Sequence, residues 1–199
     1  MKILKQTILA SLLLAAGFAN GQKHKKGMKN MLKVGANVGM VLPTKSNTVA
    51  SLGIDVTYQY LVNPNFGLGL STGYTHFFGR DKNQFDNNSV GVVPVSALIR
   101  FYPKRSGFYF GTNIGYGFLT GDNQILKKTE VGQLNKNRPD GGLYVKPEVG
   151  YHNRDWNFSV HYQKVFTDKK YNYEKQDYNI GSLGIGVAYN IPLGNKKRF

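Results

Sequence analysis

The chain has no cysteine in its 199 residues. That excludes a disulfide framework, lipid attachment at a cysteine and thiolate metal ligands. Acidic residues are few, 11 against 26 basic ones, for a formal net charge of +15. His24, His76, His152 and His161 fall at no metal-ligand spacing, so neither a metal nor another cofactor is expected. Long apolar runs are also missing. Beyond the first two dozen residues, nothing approaches the roughly 20 apolar residues a membrane-crossing helix needs. The mean hydropathy of −0.36 is far below that of a helical membrane protein. It does not exclude a membrane barrel, in which half of each strand faces a polar interior.

The first segment is a leader. Met1-Lys2-Ile3-Leu4-Lys5 is a basic n-region, Ile8 to Ala16 is apolar, and small residues follow at Gly17, Ala19 and Gly21. This is the pattern of a secretory signal peptide cut after Ala19 or Gly21. Its apolar run, about a dozen residues, is too short for a spanning helix. The expected organisation is a cleaved leader over 1–21, a basic tail over 22–30, a strand domain over 31–193 and a basic tail over 194–199.

What the rest of the chain has is alternation. Eight stretches of ten or more residues place apolar side chains at every second position, and helical spacing fits none of them. The predicted strands run from Leu32 to Leu42, Ser51 to Val62, Phe66 to Phe78, Ser89 to Tyr102, Phe108 to Leu119, Gly142 to Tyr151, Trp156 to Phe166 and Tyr178 to Leu193. Leu52, Ile54, Val56, Tyr58 and Tyr60 share one face of the second; Ser51, Gly53, Asp55, Thr57 and Gln59 share the other. The opposite face is mostly Gly, Ser, Thr, Asn and Gln throughout, too small and polar to build a soluble core. Aromatics gather near the strand ends on the apolar face: Tyr58, Tyr60, Phe66, Tyr74, Phe101, Tyr102, Phe108, Tyr151, Trp156 and Tyr189. Such girdles mark the two interfaces of a membrane-spanning β-barrel. A β-sandwich with the apolar faces turned inward is the soluble alternative.

Connections alternate as well. Asn63-Pro64-Asn65, Pro103 to Gly107 and His152 to Asp155 are short turns, whereas polar loops near 43–50, 79–88, 121–141 and 167–177 join the other pairs. In outer-membrane barrels the short turns face the periplasm. The long loops hold ten basic residues between Lys45 and Lys175 against eight acidic ones. The basic excess therefore lies on the short-turn rim: Lys23, Lys25, Lys26 and Lys29, the Lys196-Lys197-Arg198 tail, and Lys104 and Arg105. It suits anionic phospholipid heads or simple solvation. Nucleic acid is not an expected partner of an exported chain.

With eight strands of this kind, residues 31–193 resemble the small outer-membrane barrels of the OmpA transmembrane domain and OmpX type. The last strand carries the sharpest likeness. Gly186-Val187-Ala188-Tyr189-Asn190-Ile191 is similar to the Gly-x-x-aromatic-x-apolar signal that barrel-assembly machinery reads, and Phe199 resembles the terminal aromatic of such proteins. Here a basic tail separates Phe199 from the strand. No peptidoglycan-binding domain of the OmpA kind is expected to follow. The resemblance implies an all-β, eight-stranded antiparallel up-and-down barrel in the outer membrane of a two-membraned bacterium, with outer-membrane lipids and the assembly machinery as partners. It implies a structural or surface-interaction role, with a ligand met through the long loops. A small pore is the alternative, and a lipid-modifying enzyme a more distant one.

The interior charges are Lys33, Asp55, Arg100, Lys146 and Glu148, with His161 beside them. A barrel of eight strands is narrow enough for its side chains to fill it. Charges inside must pair, so Arg100 and Lys146 are expected to meet Glu148 and Asp55 and plug the lumen. Ser159 and His161 share that interior face, away from any lipid substrate, and no nucleophile motif accompanies them. Gly111-Thr112-Asn113-Ile114-Gly115-Tyr116-Gly117 is followed by more strand, whereas a phosphate-binding loop needs a helix N-terminus.

Overall fold

The structure, a computed structural model, describes residues 29–42, 48–79, 89–121, 139–153, 155–167 and 180–193. The leader over 1–21, most of the N-terminal tail, most of the four long loops, Arg154 and the C-terminal tail with Phe199 lie outside the described residues.

Eight strands follow one another: β1 (Asn30–Val41), β2 (Thr48–Asn63), β3 (Phe66–Gly79), β4 (Val90–Phe101), β5 (Gly107–Thr120), β6 (Gly141–His152), β7 (Trp156–Thr167) and β8 (Gly181–Pro192). Each pairs antiparallel with its sequence neighbours, and β8 returns to β1, from Met31 opposite Pro192 to Val41 opposite Ser182. Closure leaves no strand edge unpaired, which a sheet in hydrocarbon requires. A 12-residue strand such as β1 is about 40 Å long at about 3.3 Å per residue, and a tilt of about 40° projects it to about 30 Å, the thickness of the hydrocarbon layer. No helix of the described residues is long and apolar enough to cross a membrane.

Because side chains alternate, the apolar set faces outward: Met40, Ile54, Leu70, Phe108 and Ile185 are among the most exposed, Met40 at 72%. The small and polar set faces the lumen.

Two short turns are built alike. Asn63 Oδ1 accepts from the backbone N–H groups of Asn65 and Phe66, both at 2.8 Å. Asn153 Oδ1 accepts from Asp155 and Trp156, at 2.9 and 2.8 Å. Asparagine reproduces a backbone turn with its side chain, which is why it opens both. The third short turn delivers the chain to Gly107, whose φ of +125° is a conformation other residues adopt only with strain.

Two prolines sit inside closed ladders. The β3–β4 pairing skips from Thr72–Val95 to Thr75–Val92 around Pro94, and the β6–β7 pairing skips from Val145–Lys164 to Glu148–His161 around Pro147. Proline has no N–H to give, so the ladder opens there while its register holds.

One girdle assignment is corrected. Tyr102, just past β4, is only 4% exposed and turns inward, where its hydroxyl donates to Gln59 Oε1 at 3.0 Å. A ring whose hydroxyl finds buried partners is drawn inside.

Candidate functional site in the barrel lumen

The lumen is layered. At the long-loop end it is apolar. Val41, Phe77, Val90, Val92, Leu119, Tyr144, Val165 and Ile180 form one buried cluster, each at 5% exposure or less. They come from β1, β3, β4, β5, β6, β7 and the entry to β8, so the cluster spans the bore beneath the loops. Below it, Ser51 Oγ donates to Ser182 Oγ at 3.0 Å, and Gln163 Nε2 donates to the same oxygen at 2.9 Å.

The middle layer holds charge. Lys146 Nζ donates across the barrel, from β6 to β2, to Asp55 Oδ2 at 2.8 Å. Asn37 Nδ2 donates to the same oxygen at 2.8 Å. Arg100 Nε donates to Glu148 Oε1 at 2.6 Å, with both side chains less than a tenth exposed. Gly111 stands between those strands, opposite Arg100 on one side and Glu148 on the other. A Cβ there would lie 2.9 Å from both Arg100 Cγ and Glu148 Oε1, so the glycine makes the bridge possible.

The short-turn end is aromatic. The rings of Tyr102, Tyr109 and His152 gather with centroids 4.7 to 6.0 Å apart, and the Arg100 guanidinium carbon lies 4.9 Å from the Tyr109 centroid. Lys33, 3% exposed, donates to Tyr102 Oη and to Asn157 Oδ1, both at 3.2 Å. Asn157 in turn donates to Asn190 Oδ1 at 2.6 Å.

Of the five interior charges read from the sequence, the structure joins Arg100 to Glu148 and Lys146 to Asp55 and leaves Lys33 among neutral acceptors. His161 is buried in the lumen wall and lines a cavity there with Ser159, both enclosed by the barrel. Of the residues that resemble an assembly signal, Gly186, Tyr189 and Ile191 fall on β8. Gly186 faces the lumen beside Ser159, whereas Tyr189 and Ile191 face outward. Phe199 lies outside the described residues. No cluster of three or more His, Cys, Asp or Glu able to hold a metal occurs among the described residues.

Sequence reading missed the apolar cluster. It took the lumen face as mostly small and polar, yet counting in twos from Lys33 reaches Val41, from Ser71 reaches Phe77, from Asn113 reaches Leu119, and from His161 reaches Val165. The signal was parity carried to the strand ends, where apolar residues occupy both faces at once.

A closed antiparallel barrel with an apolar exterior, aromatic pairs near its rims and a polar, ion-paired centre is an integral outer-membrane β-barrel. The chain matches the outer membrane protein beta-barrel domain family over residues 8–190 and belongs to it. The N-terminal β-barrel domain of OprF from Pseudomonas aeruginosa is similar at TM-score 0.53 and 11% identity, over 83% of this chain and 100% of that one. Ail, the attachment invasion locus protein of Yersinia pestis, is similar at TM-score 0.52 and 13% identity, over 83% of this chain and 99% of that one. At such identities the likeness is one of fold. No curated protein matches the chain.

Proposed function

We propose that this protein is a non-catalytic outer-membrane scaffold that holds four polar loops at the cell surface and does not conduct. The apolar cluster carries this reading, because it fills the bore directly beneath the long loops. A water-filled path would have to pass among Phe77, Leu119, Val165 and Ile180, none of which offers a hydrogen bond to a solute. The two ion pairs add a second obstruction below. The short turns then face the periplasm, with Lys104 and Arg105 exposed there, and the chain arrives through a cleaved leader. Rigid scaffolds commonly place binding on their loops. The non-catalytic reading is supported by the position of Ser159 and His161, whose side chains point into the barrel, away from lipid.

The first test is mobility in SDS with and without heating. The folded barrel is expected to migrate differently from the boiled chain. Planar-bilayer recording of the same preparation is then expected to show no steady current, and sustained ohmic conductance would replace the scaffold reading with a pore. Replacing residues 122–138 by a short Gly/Ser link tests the surface role. The heat-dependent shift should persist, while attachment of cells bearing the protein to host or abiotic surfaces should fall. Unchanged attachment after shortening each of the four loops in turn would overturn the surface role.

A further inference from the structure

The lumen charges do not balance. Among the described residues, Lys33, Arg100 and Lys146 point inward against two carboxylates, Asp55 and Glu148. Both carboxylates are engaged. Asp55 Oδ2 takes Lys146 and Asn37, and Glu148 Oε1 takes Arg100. Among the described residues, Lys33 is therefore buried with a tyrosine hydroxyl and an amide oxygen as acceptors and no carboxylate. The Tyr102 hydroxyl gives its own proton to Gln59, and Asn157 donates to Asn190 through Nδ2, so the Tyr102 and Asn157 oxygens both accept from Lys33. A buried ammonium without a counter-charge is costly.

A cavity of about 30 Å³ lies beside it, with Lys33, Asn37, Arg100, Asn113, Asn157 and His161 on its wall. Arg100 Nη1 is buried without a partner, and so are both ring nitrogens of His161. The cavity wall thus includes a lysine whose acceptors are both neutral and a guanidinium nitrogen, Arg100 Nη1, with no acceptor for its N–H groups. About 10–15 Å³ suffices for a single water-sized occupant, so there is room for one small ion and not for a phosphate ester or an organic acid. Asp55 and Glu148 also border the cavity, but each already holds a cation, Lys146 and Arg100.

We propose that this cavity is a binding site for one small monovalent inorganic anion of the chloride class, held by Lys33 Nζ and Arg100 Nη1. The ion would complete the charge balance of the lumen as a structural ligand. The inference is independent of the loops and of the surface role.

The test uses the full-length protein in detergent micelles with sodium chloride, bromide or gluconate at matched ionic strength. The unfolding midpoint, read by the heat-dependent gel shift, is expected to be higher in chloride and bromide than in gluconate, and this difference should be lost in Lys33→Met. Wild-type crystals grown in bromide should show an anomalous peak within hydrogen-bonding reach of Lys33 Nζ. Equal wild-type midpoints in all three salts, or a halide shift that survives in Lys33→Met, overturn the proposal. So does a bromide crystal without a lumen peak, whatever the midpoints do and whether or not the variant folds. Conductance is unaffected by this outcome, so failure of the anion site and failure of the closed scaffold are separable.

Discussion

Tyr116 on β5 lies across Gly141 on β6. A Cβ at Gly141 would come within 2.7 Å of the Tyr116 ring and would collide with the Gly117 carbonyl. The relationship recurs in the next hairpins on either side. Tyr74 covers Gly91, with its hydroxyl 2.6 Å from a Cβ built there, and Tyr162 covers Gly181, with its hydroxyl 2.9 Å away. In each case the glycine is paired with the residue two positions after the tyrosine: His76, Phe118 and Lys164. Three of the four loop-bearing hairpins are therefore clasped on the outer face by a ring laid over a glycine, an arrangement that shields an otherwise bare backbone.

Gly141→Ala and Tyr116→Ala should each destabilise the barrel by about 1–2 kcal/mol, since one displaces the ring and the other removes it. The double variant should cost less than the two together, because both changes break one contact. Urea unfolding in micelles measures this, and strict additivity would show that the ring and the glycine are not coupled.

Phe77 and Phe78 are adjacent and face opposite ways, one in the apolar cluster at 1% exposure and the other outward at 44%. Phe77→Ala should cost about 3–5 kcal/mol through the cavity it opens. Phe78→Ala, which trades ring for lipid contact and loses an edge-on contact with His76 at 4.8 Å, should cost about 1.5 kcal/mol or less. Equal losses would mean that the cluster is not packed as described.

Glu148→Gln leaves the Arg100 guanidinium buried without its counter-charge and should destabilise by about 3–5 kcal/mol. Arg100→Met combined with Glu148→Met should recover most of that loss. In planar bilayers the double variant is expected to stay closed if the apolar cluster alone blocks the bore. Leakage would assign the blockage to the ion pair.

Asn63→Ala and Asn153→Ala each delete an acceptor that serves two backbone N–H groups. A loss of about 1 kcal/mol is expected for each, and Asp at either position should retain most of it because a carboxylate oxygen accepts in the same place. Chemical denaturation of the four variants is the check.

The strands were legible because alternation is a direct consequence of the pleat. The expected and observed strands agree in number and order, with most ends shifted by only a few residues. Tyr102 was misplaced because it follows Phe101 at a strand end, where parity fades and an aromatic fits either the girdle or the lumen. The apolar cluster was hidden for a related reason: Phe77-Phe78 presents aromatics to both faces, which reads as a break in the pattern. The interior charges were legible as a set, from their place on the polar face. That Lys33 would be the one left among neutral acceptors was not, because pairing across the bore depends on which strands oppose one another and at what height. Pro94 and Pro147 read as ordinary strand positions, and only the ladder shows the hydrogen bonds given up around them.

The apolar cluster also separates the wall from what it carries. Its eight members, all among the described residues, lie at strand ends and entries, with Ile180 the last residue before β8. A loop rewritten beyond those positions is expected to leave these eight side chains in place. On the scaffold reading proposed above, variation at the surface would be uncoupled from folding in the membrane, and the barrel would be an interchangeable mount for the sequences its loops display.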